Sequence, residues 1–134
     1  MSKKVEKKFD PFSNTAKDII EFEINHPVTG EGTGMFIKMY SKCSDEYRAM
    51  DIREAERKKE LYKISRKGKF SVKEIDPAEE FIKDREAIAS LIIGWSGTET
   101  PYSPEKAKEL MTSQKMHLIA LQVLEAFEDD ANLY

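Results

Sequence analysis

The stretch Ile19 to Tyr40, IIEFEINHPVTGEGTGMFIKMY, sets the fold class of this chain. Ile20, Phe22 and Ile24 alternate with Glu21 and Glu23. A period of two with β-branched and aromatic residues on one side marks a half-buried strand. Between Asn25 and Gly34 stand Pro27, Gly30, Gly32 and Gly34, turn formers dense enough to stop that strand. Met35 to Tyr40 then resumes an apolar, strand-forming run, so residues 19–40 read as an antiparallel hairpin. The glycines do not read as a phosphate cradle. No Lys-Ser/Thr pair follows them, their spacing is not that of a dinucleotide fingerprint, and the next element is a strand.

Downstream the period changes from two to that of helices. Ser44 is a cap, and Asp45 and Glu46 place negative charge in a first turn, opening a helix over 45–65. Its apolar residues, Tyr47, Met50, Ile52, Leu61, Tyr62 and Ile64, form a patchy stripe interrupted by charge. Such a helix is weakly held by its own core and is either solvated or lent to a partner. After a basic connector, Arg66 to Ile75, the run Asp76-Pro77-Ala78-Glu79 predicts a capped helix start with a capping box. The apolar residues from Phe81 to Ile93 extend this helix over 77–93, with Gly94 ending it in the left-handed conformation. Ser103-Pro104-Glu105 starts a short helix over 104–111. Thr112 or Ser113 caps the last one, over 114–128, where Met116, Ile119, Ala120, Val123, Leu124 and Phe127 keep a clean helical period.

The expected architecture is therefore α+β: an N-terminal β-hairpin followed by a mainly α-helical bundle of about four helices. The helices 77–93 and 114–128 should pack on each other as the core. Residues 19–134 form one domain. Residues 1–18 carry few apolar groups besides Phe9 and Phe12 and read as a mobile arm.

Composition narrows the function. The 134 residues carry 22 Lys and Arg against 25 Asp and Glu, a net charge of -3. That balance suits nucleic acid poorly as a partner, because neutralising phosphates calls for excess cations. No apolar run approaches the ~20 residues of a membrane-spanning helix. Cys43 is the one cysteine, which excludes an internal disulfide. His26 and His117, the only histidines, lack the spacing of a zinc motif. Neither they nor Cys43 make a recognisable nucleophile pair, and the carboxylates read as capping groups and solvated faces. Glu128, Asp129 and Asp130 read as a frayed, exposed end. No catalytic residue, cofactor site or metal site is expected.

The most distinctive segment is Ile92-Ile93-Gly94-Trp95 followed by Pro101-Tyr102-Ser103-Pro104-Glu105 and Leu110. Trp95 is expected to fold over the core, and Tyr102 to staple the helix entry before the Ser103 cap. Together with Gln122-Val123-Leu124-Glu125-Ala126 and the ending Asp130-Ala131-Asn132-Leu133-Tyr134, this segment resembles the small tail-assembly chaperones of siphophages. Gly34-Met35-Phe36-Ile37 and Ser44-Asp45-Glu46-Tyr47-Arg48 are similar to that family's hairpin and following charged helix. Lys106 stands where the family often has Asn, and Cys43 where an acidic residue is common.

The resemblance implies a protein without catalysis or cofactor that works in the host cytoplasm and is absent from the finished virion. It would hold the tape-measure protein soluble and help recruit tail-tube protein. Self-association is a further expectation. Residues for gripping the client would be Tyr47, Met50, Leu61 and Tyr62, with the exposed side of the last helix. Gly94, Trp95, Tyr102, Ser103 and Pro104 would be structural. Two alternatives stand beside this reading. One is a structural tail or head-tail connector protein. The other is a small nucleic-acid-binding regulator using Lys3, Lys4, Lys7, Lys8, Arg66, Lys67 and Lys69.

Overall fold

The computed structural model describes residues 8–61 and 76–134 in full and the backbone of 62–67. The start of the N-terminal arm, most of the basic connector and the side chain of Tyr62 lie outside the described residues. The elements are β1 (Ile19–Asn25), β2 (Gly32–Tyr40), α1 (Asp45–Lys67), α2 (Pro77–Ala89), β3 (Ile92–Ser96), α3 (Pro104–Thr112) and α4 (His117–Glu128). Short 3₁₀ turns at Gln114–Met116 and Asp130–Leu133 flank α4. The architecture is α+β, as the hairpin pattern requires.

The hairpin forms in the register its alternation dictates. Ile20 faces Met39, Phe22 faces Ile37 and Ile24 faces Met35, so one face of both strands is apolar. Ile37 and Met39 have no exposed surface, and burying each contributes about 1.5–3 kcal/mol relative to exposure. Glu21 and Lys38 meet on the other face at 3.9 Å.

The sheet has a third strand, which corrects the expected helix over 77–93. Helix α2 stops at Ala89. The Ser90 hydroxyl donates to the Ala87 carbonyl at 2.5 Å, and the Leu91 amide donates to the Ile88 carbonyl at 3.0 Å. The chain then extends. Ile92 pairs with Met39 and Trp95 with Ile37, antiparallel to β2, giving the order β1-β2-β3. Two β-branched residues and an aromatic fit this pleated, half-buried surface better than another helical turn. Gly94 lies inside the strand and does not end a helix. The left-handed glycines are Gly30, Gly34 and Gly97.

The helices cover the apolar face of the sheet. Helix α3 contributes Ala107, Leu110 and Met111 to the core, and α4 contributes Ala120, Val123 and Phe127. Helices α2 and α4 each pack principally on α3, so the direct pairing expected between them is replaced by a shared neighbour. At the start of α3 the Ser103 hydroxyl accepts from the Lys106 amide at 3.0 Å, with Pro104 at the first helical position. Asp76 caps α2 through the Ala78 amide, while Glu79 reaches Lys83 at 3.4 Å instead of closing a capping box. The last helix lacks the expected hydroxyl cap. The Thr112 hydroxyl donates back to the Lys108 carbonyl, and the 3₁₀ turn after Ser113 leads into α4.

The C-terminal acids are not frayed. Asp129 caps the final turn through the Ala131 amide. Lys42 lies 2.5 Å from Asp130 and donates to the Glu128 carbonyl at 3.1 Å. Leu133 is buried, and its carbonyl accepts from the Lys17 amide at 2.7 Å. Lys17 and Asp18, assigned to the arm by composition, are thereby tied to the domain. The carbonyl of Asp18 also takes the Ser41 amide.

Candidate protein-docking site

The Gly-Trp to Ser-Pro segment builds one side of an apolar cleft. Because β3 ends at Ser96, the chain must turn back to reach the Ser103 cap. Gly97, with φ +78°, makes that turn directly against the Gly34 carbonyl of β2, where a Cβ would stand 1.8 Å from the oxygen. The returning loop is fixed by two aromatic donors. The Trp95 indole Nε1–H donates to the Thr100 carbonyl, and the Tyr102 hydroxyl donates to the Ile92 carbonyl, both at 2.8 Å. The two rings meet edge to face, with centroids 5.2 Å apart, a favoured aromatic geometry. Burial, aided by the nearby Glu105 carboxylate, pushes the Tyr102 hydroxyl above its ordinary pKa, so it remains a donor at neutral pH.

The cleft so bounded holds about 370 Å³. Trp95 and Met35 line it from the sheet, Leu110 from α3, Met116 from the 3₁₀ turn and Ile119 from α4. Lys106 and Glu109, paired at 3.2 Å, stand among its polar lining. Methionine side chains bend at little cost and suit a surface that must accept varied apolar partners. Sequence reading placed Met116 and Ile119 in the core stripe of the last helix. That stripe is broader than the core, and its edge lines the cleft.

Of the residues predicted to grip a client, Tyr47, Met50 and Leu61 lie away from this cleft, and Tyr47 and Met50 pack within the domain. Met50 is only 6% exposed, a correction to its reading as a contact surface. The Tyr47 ring lies tilted against Phe127, with centroids 5.4 Å apart, and desolvation raises its hydroxyl pKa, with Asp51 and Glu128 adding to the shift and Lys42 opposing it. Leu61 is half-buried. Farther along, α1 is joined to α2 by charge. Arg57 lies 2.8 Å from Glu54 and 2.9 Å from Glu80, and Lys58 lies 3.0 Å from Asp84. Hydrogen bonds to Glu54 and then Glu80 raise the Arg57 pKa well above its ordinary value. The weak anchoring expected for this helix thus takes the form of a short apolar attachment followed by an ion-pair network.

On the last helix, Leu118 and Leu121 are the large apolar residues turned outward, 57% and 41% exposed. Gln122 does different work. Its Oε1 accepts from the Asn25 amide at 2.8 Å and its Nε2 donates to the Asn25 carbonyl at 2.7 Å, covering the end of the edge strand β1. His26 accepts from the Val28 and Thr29 amides at its Nδ1 and shapes the hairpin turn. Cys43 is exposed. Among the described residues, no cluster of His, Cys, Asp and Glu is arranged to hold a metal ion, and no helix is long and apolar enough to cross a membrane.

No protein-family model, curated protein or solved structure matches this chain.

Proposed function

We propose that this chain is a tail-assembly chaperone of a long-tailed bacteriophage, binding apolar helical segments of the tape-measure protein and helping to bring tail-tube protein to it. The observation that carries the reading is the cleft between the open end of the sheet and helices α3 and α4. It is walled by Trp95, Met35, Leu110, Met116 and Ile119; of the residues that resemble the family's Gly-Trp and Tyr-Ser-Pro motif, Trp95 lines it and Tyr102 packs against Trp95. An amphipathic helix laid into such a groove buries its apolar face there, in the manner of other helix-in-groove recognition. The cleft is a few side chains in volume, so it takes only a few anchoring side chains of a client helix. A chaperone that must later release its client needs no more.

The test is co-expression of the chain with successive fragments of a siphophage tape-measure protein. A soluble complex is expected with at least one apolar helical fragment, together with absence of the chain from purified virions. If every fragment stays insoluble and none co-purifies, the chaperone reading fails. Stoichiometric recovery in virions would instead make the chain a structural tail or connector subunit.

A further inference from the structure

A second cleft, of about 430 Å³, opens where α2 meets the end of α3 and the beginning of α4. Phe81, Ile82 and Arg85 line it from α2, Met111 from α3, and Gln114 and His117 from beyond α3. Arg85 is only 7% exposed. Its guanidinium lies 4.6 Å from the centroid of the Phe81 ring, and Nη1 donates to the Met111 carbonyl at 3.2 Å. No other described residue hydrogen-bonds to it, and no described carboxylate forms an ion pair with it.

The acids of α2 are committed elsewhere or face away. Glu79 pairs with Lys83, Glu80 with Arg57, and Asp84 with Lys58. Glu86 lines a separate depression beside Lys83. No carboxylate is among the residues lining the cleft. No sealed side-chain nitrogen among the described residues lacks a partner, so the unused N–H groups of Arg85, a residue lining the cleft, keep accessible surface. The Phe81 ring and the Met111 carbonyl hold the guanidinium in place and leave N–H donors over for an incoming carboxylate.

We infer that this cleft docks an apolar helix of a partner protein that carries one acidic side chain, its carboxylate forked onto Arg85 and its apolar neighbours covering Phe81 and Ile82. The planar guanidinium matches a carboxylate through paired N–H donors. The apolar walls suit an acid on a short hydrocarbon stem. A polypeptide fits better than a small carboxylate because large apolar side chains of the cleft stay partly exposed. Phe81 and Ile82, which line it, remain 48% and 44% exposed. A small acid inside the cleft leaves those side chains in water, whereas a helix with anchors at i, i+3 and i+4 covers them.

The inference rests on the reading that this chain binds apolar helices, and it adds which face and which charge are used. It is tested with a designed amphipathic helical peptide carrying a single Glu in its apolar stripe, against the same peptide with Gln there. Binding to the full chain is followed by calorimetry, with backbone NMR shifts locating the contact. The Glu peptide is expected to bind about tenfold more tightly, the factor that about 1.4 kcal/mol confers, and to shift the amides around Phe81, Arg85 and His117. Arg85→Gln should abolish the preference and Arg85→Lys should keep part of it, with the melting curve of each variant reporting whether it folds. Equal affinity of the two peptides for the unmodified chain, binding by neither, or shifts confined to the Trp95 cleft would each overturn the inference. Because the designed peptide shares no sequence with the tape-measure protein, failure of the co-expression test and failure of this one are separate results.

Discussion

Replacing Gly97 with Ala puts the corner that shapes the Trp95 cleft under a defined load. The residue has φ +78°, a conformation that costs an L side chain about 1–2 kcal/mol. The added Cβ would also lie 1.8 Å from the Gly34 carbonyl oxygen, 2.7 Å from its carbon and 3.1 Å from the Met35 Cα. These are backbone atoms of β2, so no rotamer change relieves the clash, and the β2–β3 end must open by more than an ångström. Overpacking of this kind costs about 1–3 kcal/mol. The sum, about 2–5 kcal/mol, is a large share of the roughly 5–15 kcal/mol that holds a domain together. It corresponds to a melting point lower by on the order of 10 °C.

Two alanine controls separate the contributions. Gly30 has φ +74° with nothing within 4 Å of where an alanine methyl would stand, and Gly94 has neither a positive φ nor a neighbour within 4 Å of that position. Gly30→Ala should therefore lose only the conformational part, about 1–2 kcal/mol, and Gly94→Ala should stay within about 0.5 kcal/mol. Urea denaturation followed by far-ultraviolet circular dichroism measures all three. A Gly97→Ala protein as stable as the Gly30→Ala protein would refute the close approach of Gly97 to β2.

Three further changes probe the contacts that frame the site. Gln122→Ala removes both bonds to Asn25; a loss of about 1 kcal/mol and faster amide exchange at Asn25 are expected, and unchanged exchange would count against the edge-covering role. Arg57→Met removes the centre of the network with Glu54 and Glu80. It should cost about 0.5–1 kcal/mol, with the difference from the unmodified protein shrinking in high salt. A difference that salt leaves untouched would point to packing by the arginine stem. For Tyr102, the raised pKa means that its stabilising contribution is complete below the ordinary value of 10.0 and is lost as pH rises through the higher folded value. Tyr102→Phe should accordingly be less stable at neutral pH, having lost the bond to Ile92, and should lose less additional stability above pH 10.0 than the unmodified protein does. Parallel alkaline melting curves for the two proteins would contradict this.

The elements legible in the sequence are those whose cause is local. The alternation of Ile20, Phe22 and Ile24 specifies a strand and its inward face together, and Ser103-Pro104 or Asp76-Pro77 caps a helix with atoms two or three residues away. What was illegible depends on neighbours far along the chain. Ile92-Ile93-Gly94-Trp95 continues the apolar run of α2, and periodicity cannot tell a short buried strand from another helical turn; the presence of β2 decides it. Gly97 rather than Gly94 carries the positive φ because the strand had first to end. Asp130 reads as a loose acid until Lys42 stands beside it. Met50 reads as a grip for a client until Tyr47 and Phe127 are seen drawing the start of α1 onto the core. Arg85 gives no sequence signal at all. One arginine on an amphipathic helix is ordinary, and only its burial in a cleft without a carboxylate sets it apart.

The most direct test of client binding at the Trp95 cleft is methyl NMR of the protein labelled at its methionines, titrated with an apolar helical fragment of the tape-measure protein. The methyl signals of Met35 and Met116, which line the cleft, are expected to shift and broaden, while that of Met39, sealed in the core, moves little. A fragment that binds without disturbing Met35 and Met116, or one that leaves every methyl where it was, would contradict the assignment of this cleft as the place where the client is held.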